Sequence, residues 1–230
     1  MIDPIPSPAA LNLPHVFVEE IENPEIEEAD NHHLGKVLRL RHGDHITVSD
    51  GKGKWCECIY GATLEVVSDV FFRPKPAVEI TIGFSLVKKG KPELIVQKLT
   101  ELGVDKIAPT VSQRSVVQWS DRKVIENGKR LNRIAREAAM QSRQVHIPEV
   151  METQAFSNLG HETGAALAHP GGERVTLEHP FLLIGPEGGW TDEEIDGRKC
   201  FSLGESILRS ETAAISAGVL LTSLRDGRVK

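Results

Sequence analysis

Two stretches of this sequence combine residue types that could hold and act on a small ligand. The first is Ile184-Gly185-Pro186-Glu187-Gly188-Gly189-Trp190, where the apolar run Phe181 to Ile184 enters a glycine-rich turn. Glycines let a ligand come close to the backbone. A phosphate cradle supplies a Lys or a bare nest of N–H groups. This turn instead supplies the carboxylate of Glu187 and no cation of its own. That is poor chemistry for phosphate and tolerable beside a neutral or cationic ligand; S-adenosylmethionine, with a positive sulfonium and no phosphate, is one. The plainer alternative is a strand-to-helix turn whose glycines serve geometry alone.

The second stretch runs from Leu203-Gly204-Glu205-Ser206-Ile207-Leu208 into Arg209-Ser210-Glu211-Thr212-Ala213-Ala214. It follows another short apolar run and enters the final helical pattern. A helix N-terminus favours Glu211 through its dipole and disfavours Arg209, unless the guanidinium reaches an anion. A surface ion pair with Glu205 or Glu211 would satisfy Arg209 and be worth little. The small residues Ala213, Ala214, Ser216, Ala217 and Gly218 let this helix pack closely.

These stretches need strands and helices to hold them. From Val78 onward the pattern alternates: strand 78–87, helix 92–102 with Gly103 where a C-cap belongs, strand 104–111, and a helix over 120–143. In that helix Leu131, Ile134, Ala135 and Ala138 share one face. Strands at 165–169, 181–184 and 200–203 then alternate with helices at 191–198 and 211–224. Thr191 followed by Glu194 forms a capping box. This rhythm predicts an α/β domain with a largely parallel sheet, in which ligands bind beyond the carboxyl ends of strands.

Before Val70 the chain reads differently. Short strands at 16–18, 46–48 and 55–60, separated by Gly- and Asp-bearing turns, suggest a small β-barrel or sandwich, with a helix over 30–40. Arg73-Pro74-Lys75-Pro76 reads as a linker. Residues 1–14, rich in proline and without periodicity, read as an irregular arm.

The chain has 230 residues, 33 acidic against 27 basic side chains, and a net charge of −6. That excludes a uniformly basic nucleic-acid coat and leaves room for a local basic patch. No apolar run reaches the roughly 20 residues that cross a bilayer, and the start lacks the pattern of a signal peptide. Three cysteines argue against a disulfide scaffold and fit a reducing, cytoplasmic setting. Cys56-Glu57-Cys58 puts both sulfurs on one face of a strand; zinc would need two further ligands, for which His32 and His33 are conceivable, and small apolar packing is the preferred reading. No metal is expected. His42, His45, His146, His161 and His179 read as ordinary surface residues.

Gly185-Pro186-Glu187-Gly188-Gly189-Trp190-Thr191, followed by Leu203-Gly204 and Ile207-Leu208-Arg209 with Glu211-Thr212-Ala213-Ala214, resembles the SPOUT class of RNA methyltransferases. More narrowly, the chain resembles the RsmE family of 16S ribosomal RNA uridine N3-methyltransferases. His32 to Leu40, Gly43-Asp44 and Asp50 to Gly53 match the N-terminal part of that family. Gln97 to Val104, Arg114, Glu137 to Ala139, Gln141 to Arg143, Pro148-Glu149 and His169-Pro170 match its middle. Two departures stand out: Trp190 where Phe or Leu is common, and Gln141-Ser142-Arg143-Gln144 in place of Gln-Ser-Gly-Arg.

The resemblance implies a PUA-like β-barrel over 15–74 and a SPOUT α/β domain over 75–230 whose C-terminal chain is threaded into a trefoil knot, a rare topology. It implies a homodimer. It places S-adenosylmethionine against His169, Ile184, Gly185, Glu187, Gly188, Leu203, Gly204, Ile207, Leu208 and Ala213. Arg209 is the expected catalytic residue, stabilising the anion formed when uridine loses its N3 proton. Glu211 is expected either to orient Arg209 or to accept a proton. Lys36, Arg39, Arg41, Lys52 and Lys54 form an expected phosphate-contacting face, with Arg114 and Arg143 nearer the methyl donor. The expected partner is 16S ribosomal RNA or the small ribosomal subunit. The alternatives are a SPOUT methyltransferase with another RNA target, a catalytically inert ribosome-assembly factor that binds RNA, and a nucleotide-phosphate enzyme built on the glycine loop.

Overall fold

The computed structural model describes residues 7–88, 90–159 and 164–229. His161 and the first six residues of the expected arm lie outside the described residues. The chain divides into two compact units, one running to Pro76 and including Ala139–Ile147, the other comprising Ala77–Ala138 and the chain from Pro148 onward.

In the first unit the expected irregular arm contains one helical turn, α1 (Pro8–Leu11), capped by the Ser7 side chain. Proline is preorganised for the first helical position, which is why a proline-rich stretch can still start a helix. A five-stranded sheet follows, built from β1 (His15–Phe17), β2 (His45–Ser49), β3 (Lys54–Ile59), β4 (Glu65–Val66) and β5 (Phe71–Phe72). β1 runs parallel to β2, while β2, β4 and β5 all pair antiparallel with β3. Strand alternation brings Cys56 and Cys58 to the same buried face, their sulfurs 3.8 Å apart, among Val16, Leu34, Ile46 and Val48. The helix expected over 30–40 is shorter and two-part: α2 (Glu28–His32) widens into a π-turn, His33–Val37, and Arg39 then takes φ +58°, which a helix cannot continue.

Residues 139–147 join this unit through backbone hydrogen bonds. Gly53 N–H and the Ser49 hydroxyl both donate to the Val145 carbonyl, and Ile147 N–H donates to Gly51. His15 is buried, with Nδ1 2.8 Å from Thr47 Oγ1 and Nε2 3.0 Å from the Gln144 carbonyl. Burial is the main cause that pushes its pKa down to about 4; the Gln144 carbonyl opposes this, and the Arg143 charge adds to it.

The second unit is a seven-stranded sheet in the order β12-β10-β11-β6-β7-β8, with β9 also on β7. Its strands are β6 (Thr81–Ser85), β7 (Lys106–Val111), β8 (Glu149–Val150), β9 (Gln154–Ala155), β10 (Ala166–Arg174), β11 (Phe181–Ile184) and β12 (Cys200–Ser202). Every pairing is parallel. Strands buried on both faces explain the unbroken apolar runs. Its helices are α3 (Lys91–Glu101), α5 (Asp192–Ile195), α6 (Ser210–Arg225) and most of α4 (Asp121–Gln141). Leu131, Ala135 and Ala138 of α4 are buried, as the helical spacing requires. The small residues of α6 meet α3: a methyl group at Gly218 would lie 2.8 Å from Leu99 Cδ2.

Two further elements, in the second unit, differ from the sequence-based expectation. α5 stops after one turn instead of reaching Arg198, because Asp196 is extended and Gly197 takes φ +70°. β10 runs past His169 to Arg174 through Pro170, since the register against β12 is interrupted between Ala168 and Glu173. A proline inside that irregularity removes no ladder hydrogen bond.

Candidate functional site

β12, β10 and β11 are neighbours and parallel, so the loops after them leave the same edge of the sheet. The loops after β11 and β12, together with Ala168, His169 and Pro170 within β10, line a cavity of about 580 Å³. Every residue assigned by resemblance to S-adenosylmethionine lines it: His169, Ile184, Gly185, Glu187, Gly188, Leu203, Gly204, Ile207, Leu208 and Ala213. Pro170, Trp190, Arg114, Arg209 and Ser210 also contribute to the wall.

The first loop is held from three sides. Trp190 is buried, its indole N–H donating to the Ala168 carbonyl at 3.1 Å, and it packs on Phe156 with ring centroids 5.1 Å apart. Its ring lies so close to Gly185 that a Cβ there would meet it at 3.0 Å. Arg114 Nη1 donates to the carbonyls of Gly188 and Trp190, at 3.1 and 3.0 Å. The Ser210 hydroxyl at the start of α6 donates to the Gly185 carbonyl at 3.2 Å.

The capping box of α5 extends this frame. Glu194, 3% exposed, accepts from Thr191 N–H with one oxygen and from Gln113 N–H with the other, both at 2.9 Å. One buried carboxylate therefore fixes the start of α5 and the backbone just before Arg114. In the second loop Gly204 takes φ +139°, a conformation closed to other residues, and the Ser202 hydroxyl donates to its carbonyl.

Arg209 is the N-cap residue of α6, is exposed, and lines the cavity. Its guanidinium makes no hydrogen bond or ion pair with any described residue, so the surface pairs with Glu205 or Glu211 do not form. Glu211 does not line the cavity. It sits 3.2 Å from Lys91 Nζ, which also donates to Glu187 Oε1 at 2.9 Å. The expectation that Glu211 orients Arg209 therefore gives way to a different partner, brought by α3 from far away in sequence. Lys91 holds the Glu187 carboxyl below the usual carboxylate range, with Lys88 and Arg209 adding smaller effects. The two carboxylates in turn raise the Lys91 ammonium above its ordinary value.

Of the residues expected to touch RNA, all but Arg114 belong to the first unit. Lys36, Arg39, Arg41 and Lys52 are exposed on the first unit and make no ion pair with a described residue. Lys54 is also exposed and pairs with Glu22 at 3.0 Å. Arg143, half-buried with φ +55°, groups with the first unit and is not part of the cavity wall. Arg114 belongs to the cavity, where its guanidinium is occupied by loop carbonyls.

Lys91, Ser210, the bond from Gln113 N–H to Glu194 and the hydrogen-bonding role of Trp190 were not assigned from sequence. A signal existed for Lys91: a cation in the first turn of a helix is unfavourable unless an anion meets it, the same argument that singled out Arg209. Among the described residues, no three His, Cys, Asp or Glu side chains cluster as a metal site, and no helix is long and apolar enough to cross a membrane.

Residues 73–222 match the model of an RNA methyltransferase domain, and residues 26–63 that of an RNA methyltransferase PUA domain. The ribosomal RNA small subunit methyltransferase E of Bacillus subtilis is 31% identical, the match covering 87% of this chain and 90% of that protein. The protein of the same name from Synechocystis is 32% identical, over 86% of this chain and 72% of its own. Among solved structures, a Legionella pneumophila protein described as a methyltransferase, in complex with SAM, superposes with a TM-score of 0.79 at 25% identity, covering 92% of this chain and 98% of that one. The Neisseria gonorrhoeae ribosomal RNA small subunit methyltransferase E, bound to S-adenosyl methionine, gives the same TM-score at 24% identity, over 93% and 98% of the two chains, and shares the fold.

Proposed function

The chain belongs to the RNA methyltransferase family that includes the small-subunit ribosomal RNA methyltransferases E, and from that premise we propose that it methylates N3 of one uridine in 16S ribosomal RNA. It is a ribosomal RNA methyltransferase that depends on S-adenosylmethionine. The observation that carries the reading is the convergence of both glycine-bearing loops on one cavity.

The cavity fits this methyl donor on its own chemistry. Its volume lies within the roughly 300–1,000 Å³ of small-molecule sites. Ile184, Leu203, Ile207, Leu208 and Ala213 offer apolar wall, and Gly185, Gly188 and Gly204 expose backbone. Glu187 lines it as an anion, suited to a cationic ligand. When bound, S-adenosylmethionine supplies an electrophilic methyl group.

The protein's own residues then position and stabilise. Uridine N3 must lose its proton, which passes to solvent water, so that the bond electrons become the attacking lone pair. Arg209, the unpaired cation of the cavity wall, stabilises the resulting anion. Glu211, fixed against Lys91 and away from the wall, acts through position and not as proton acceptor. Arg114 holds the first loop. Lys36, Arg39, Arg41 and Lys52 supply phosphate contacts.

Further parts of the reading come from the family resemblance: a PUA-like barrel formed by the first unit, a trefoil knot in the second, a homodimer, and a cytoplasmic location. The match of residues 26–63 to a PUA domain supports the first. Mass spectrometry of 16S RNA from cells with and without this protein tests the function. Loss of one N3-methyluridine is the expected result. An unchanged pattern, or a lost methyl on ribose or another base, overturns it.

A further inference from the structure

Lys91 is the first residue of α3, remote in sequence from both loops of the cavity, yet its ammonium lies between them. It donates to Glu187 in the first loop at 2.9 Å and pairs with Glu211, in the first turn after the second loop, at 3.2 Å. Lys91 is not part of the cavity wall, so it does not touch a ligand held there.

The three groups are unequal. The Glu187 side chain is 53% exposed, whereas that of Glu211 is 16% exposed, and its Oε2 is buried with no well-formed hydrogen bond. For Glu211, Lys91 is the one close cation among the described residues. Removing the ammonium would leave a largely buried carboxylate unpaired, and it would set two carboxylates that now share one cation against each other. An exposed pair would contribute little by comparison. The Ser210–Gly185 hydrogen bond also joins the two loops, but as a neutral contact it carries no such electrostatic consequence.

We propose that Lys91 is a positioning residue that ties the two donor-binding loops together, holding Glu187 and Glu211 at one point and so setting the loops at the separation that receives the methyl donor. This rests on the functional reading above. A positioning residue behind the wall should govern donor binding and leave RNA binding alone.

The test uses the full-length protein. Hydrogen exchange of free Lys91→Met should show faster exchange in both loops, 185–190 and 203–210, with the central strands unchanged. The KM for S-adenosylmethionine and its calorimetric Kd should rise on the order of tenfold, with the KM for RNA unchanged. Lys91→Arg should restore most of the affinity. Adding Glu211→Gln to Lys91→Met should recover part of the loss, because it removes the stranded charge. Global unfolding would instead accelerate exchange everywhere and lower both substrates' apparent binding together, which overturns the proposal. So does a Lys91→Met protein whose loops and donor affinity match the wild type. Wild-type protein that binds no S-adenosylmethionine overturns the functional reading and the donor-positioning role with it, an outcome distinct from failure of the variant alone.

Discussion

The indole N–H of Trp190 donates to the carbonyl of Ala168 at 3.1 Å, joining the loop after β11 to the adjacent strand β10. A single side chain thus closes one corner of the cavity by packing on Gly185 and the other by hydrogen bonding. Trp190→Phe should keep most of the packing and lose the bond, costing about 1 kcal/mol of stability. Trp190→Ala should cost about 3–5 kcal/mol and abolish donor binding. Urea unfolding with calorimetry of S-adenosylmethionine checks both.

Arg114 was expected at RNA and is found on the loop carbonyls of Gly188 and Trp190. Arg114→Met should weaken S-adenosylmethionine binding by about tenfold, the loss of one to two charge-assisted hydrogen bonds. The dependence of RNA affinity on salt should stay as it is. A shallower salt dependence with unchanged donor affinity would return Arg114 to the RNA.

Arg209→Ala should bind the donor nearly as well as wild type and transfer methyl about 10²–10³-fold more slowly, the usual effect of removing one stabilising donor. A tritiated-methyl assay beside calorimetry reads the two separately. Near-normal transfer would take Arg209 out of the chemistry.

On the first unit, replacing Lys36, Arg39, Arg41 and Lys52 together by Gln should lower RNA affinity and flatten its dependence on salt, each lost phosphate contact reducing the slope by about 0.7–0.9. Lys54→Gln should do less, since its ammonium is already paired with Glu22. Filter binding at several salt concentrations distinguishes them.

His15 gives the first unit an acid sensitivity. Its folded pKa is about 4, against about 6.5 when unfolded. Above pH 6.5 both states are neutral at this site. Between these values the unfolded chain binds the additional proton, so stability drops as the pH is lowered, by at most about 1.4 kcal/mol per unit, and the loss ends below pH 4. Urea titrations across this window should show a steeper pH dependence for wild type than for His15→Gln. Equal slopes would remove His15 as the cause.

The α/β rhythm after Val78, the two glycine-bearing loops and the unusual cation Arg209 were legible because each is written in consecutive residues: apolar runs, a capping box, glycines at a turn. Local signals also located the apolar face of α4. The early stop of α5 and the length of β10 were not legible, since they depend on one residue's dihedral angle and on the register with β12.

The sequence by itself determined the alternating strands and helices of the second unit, the family and which residues form the cavity loops, since these follow from local periodicity and from motifs. Only the tertiary structure decided the partners of the charges. Glu211 meets Lys91 and not Arg209, Arg114 meets the carbonyls of Gly188 and Trp190, and residues 139–147 pair with the β2–β3 turn of the first unit. Electrostatic and hydrogen-bonding partners are set by distance in space, and the parallel order of the sheet brings α3 to loops about a hundred residues away.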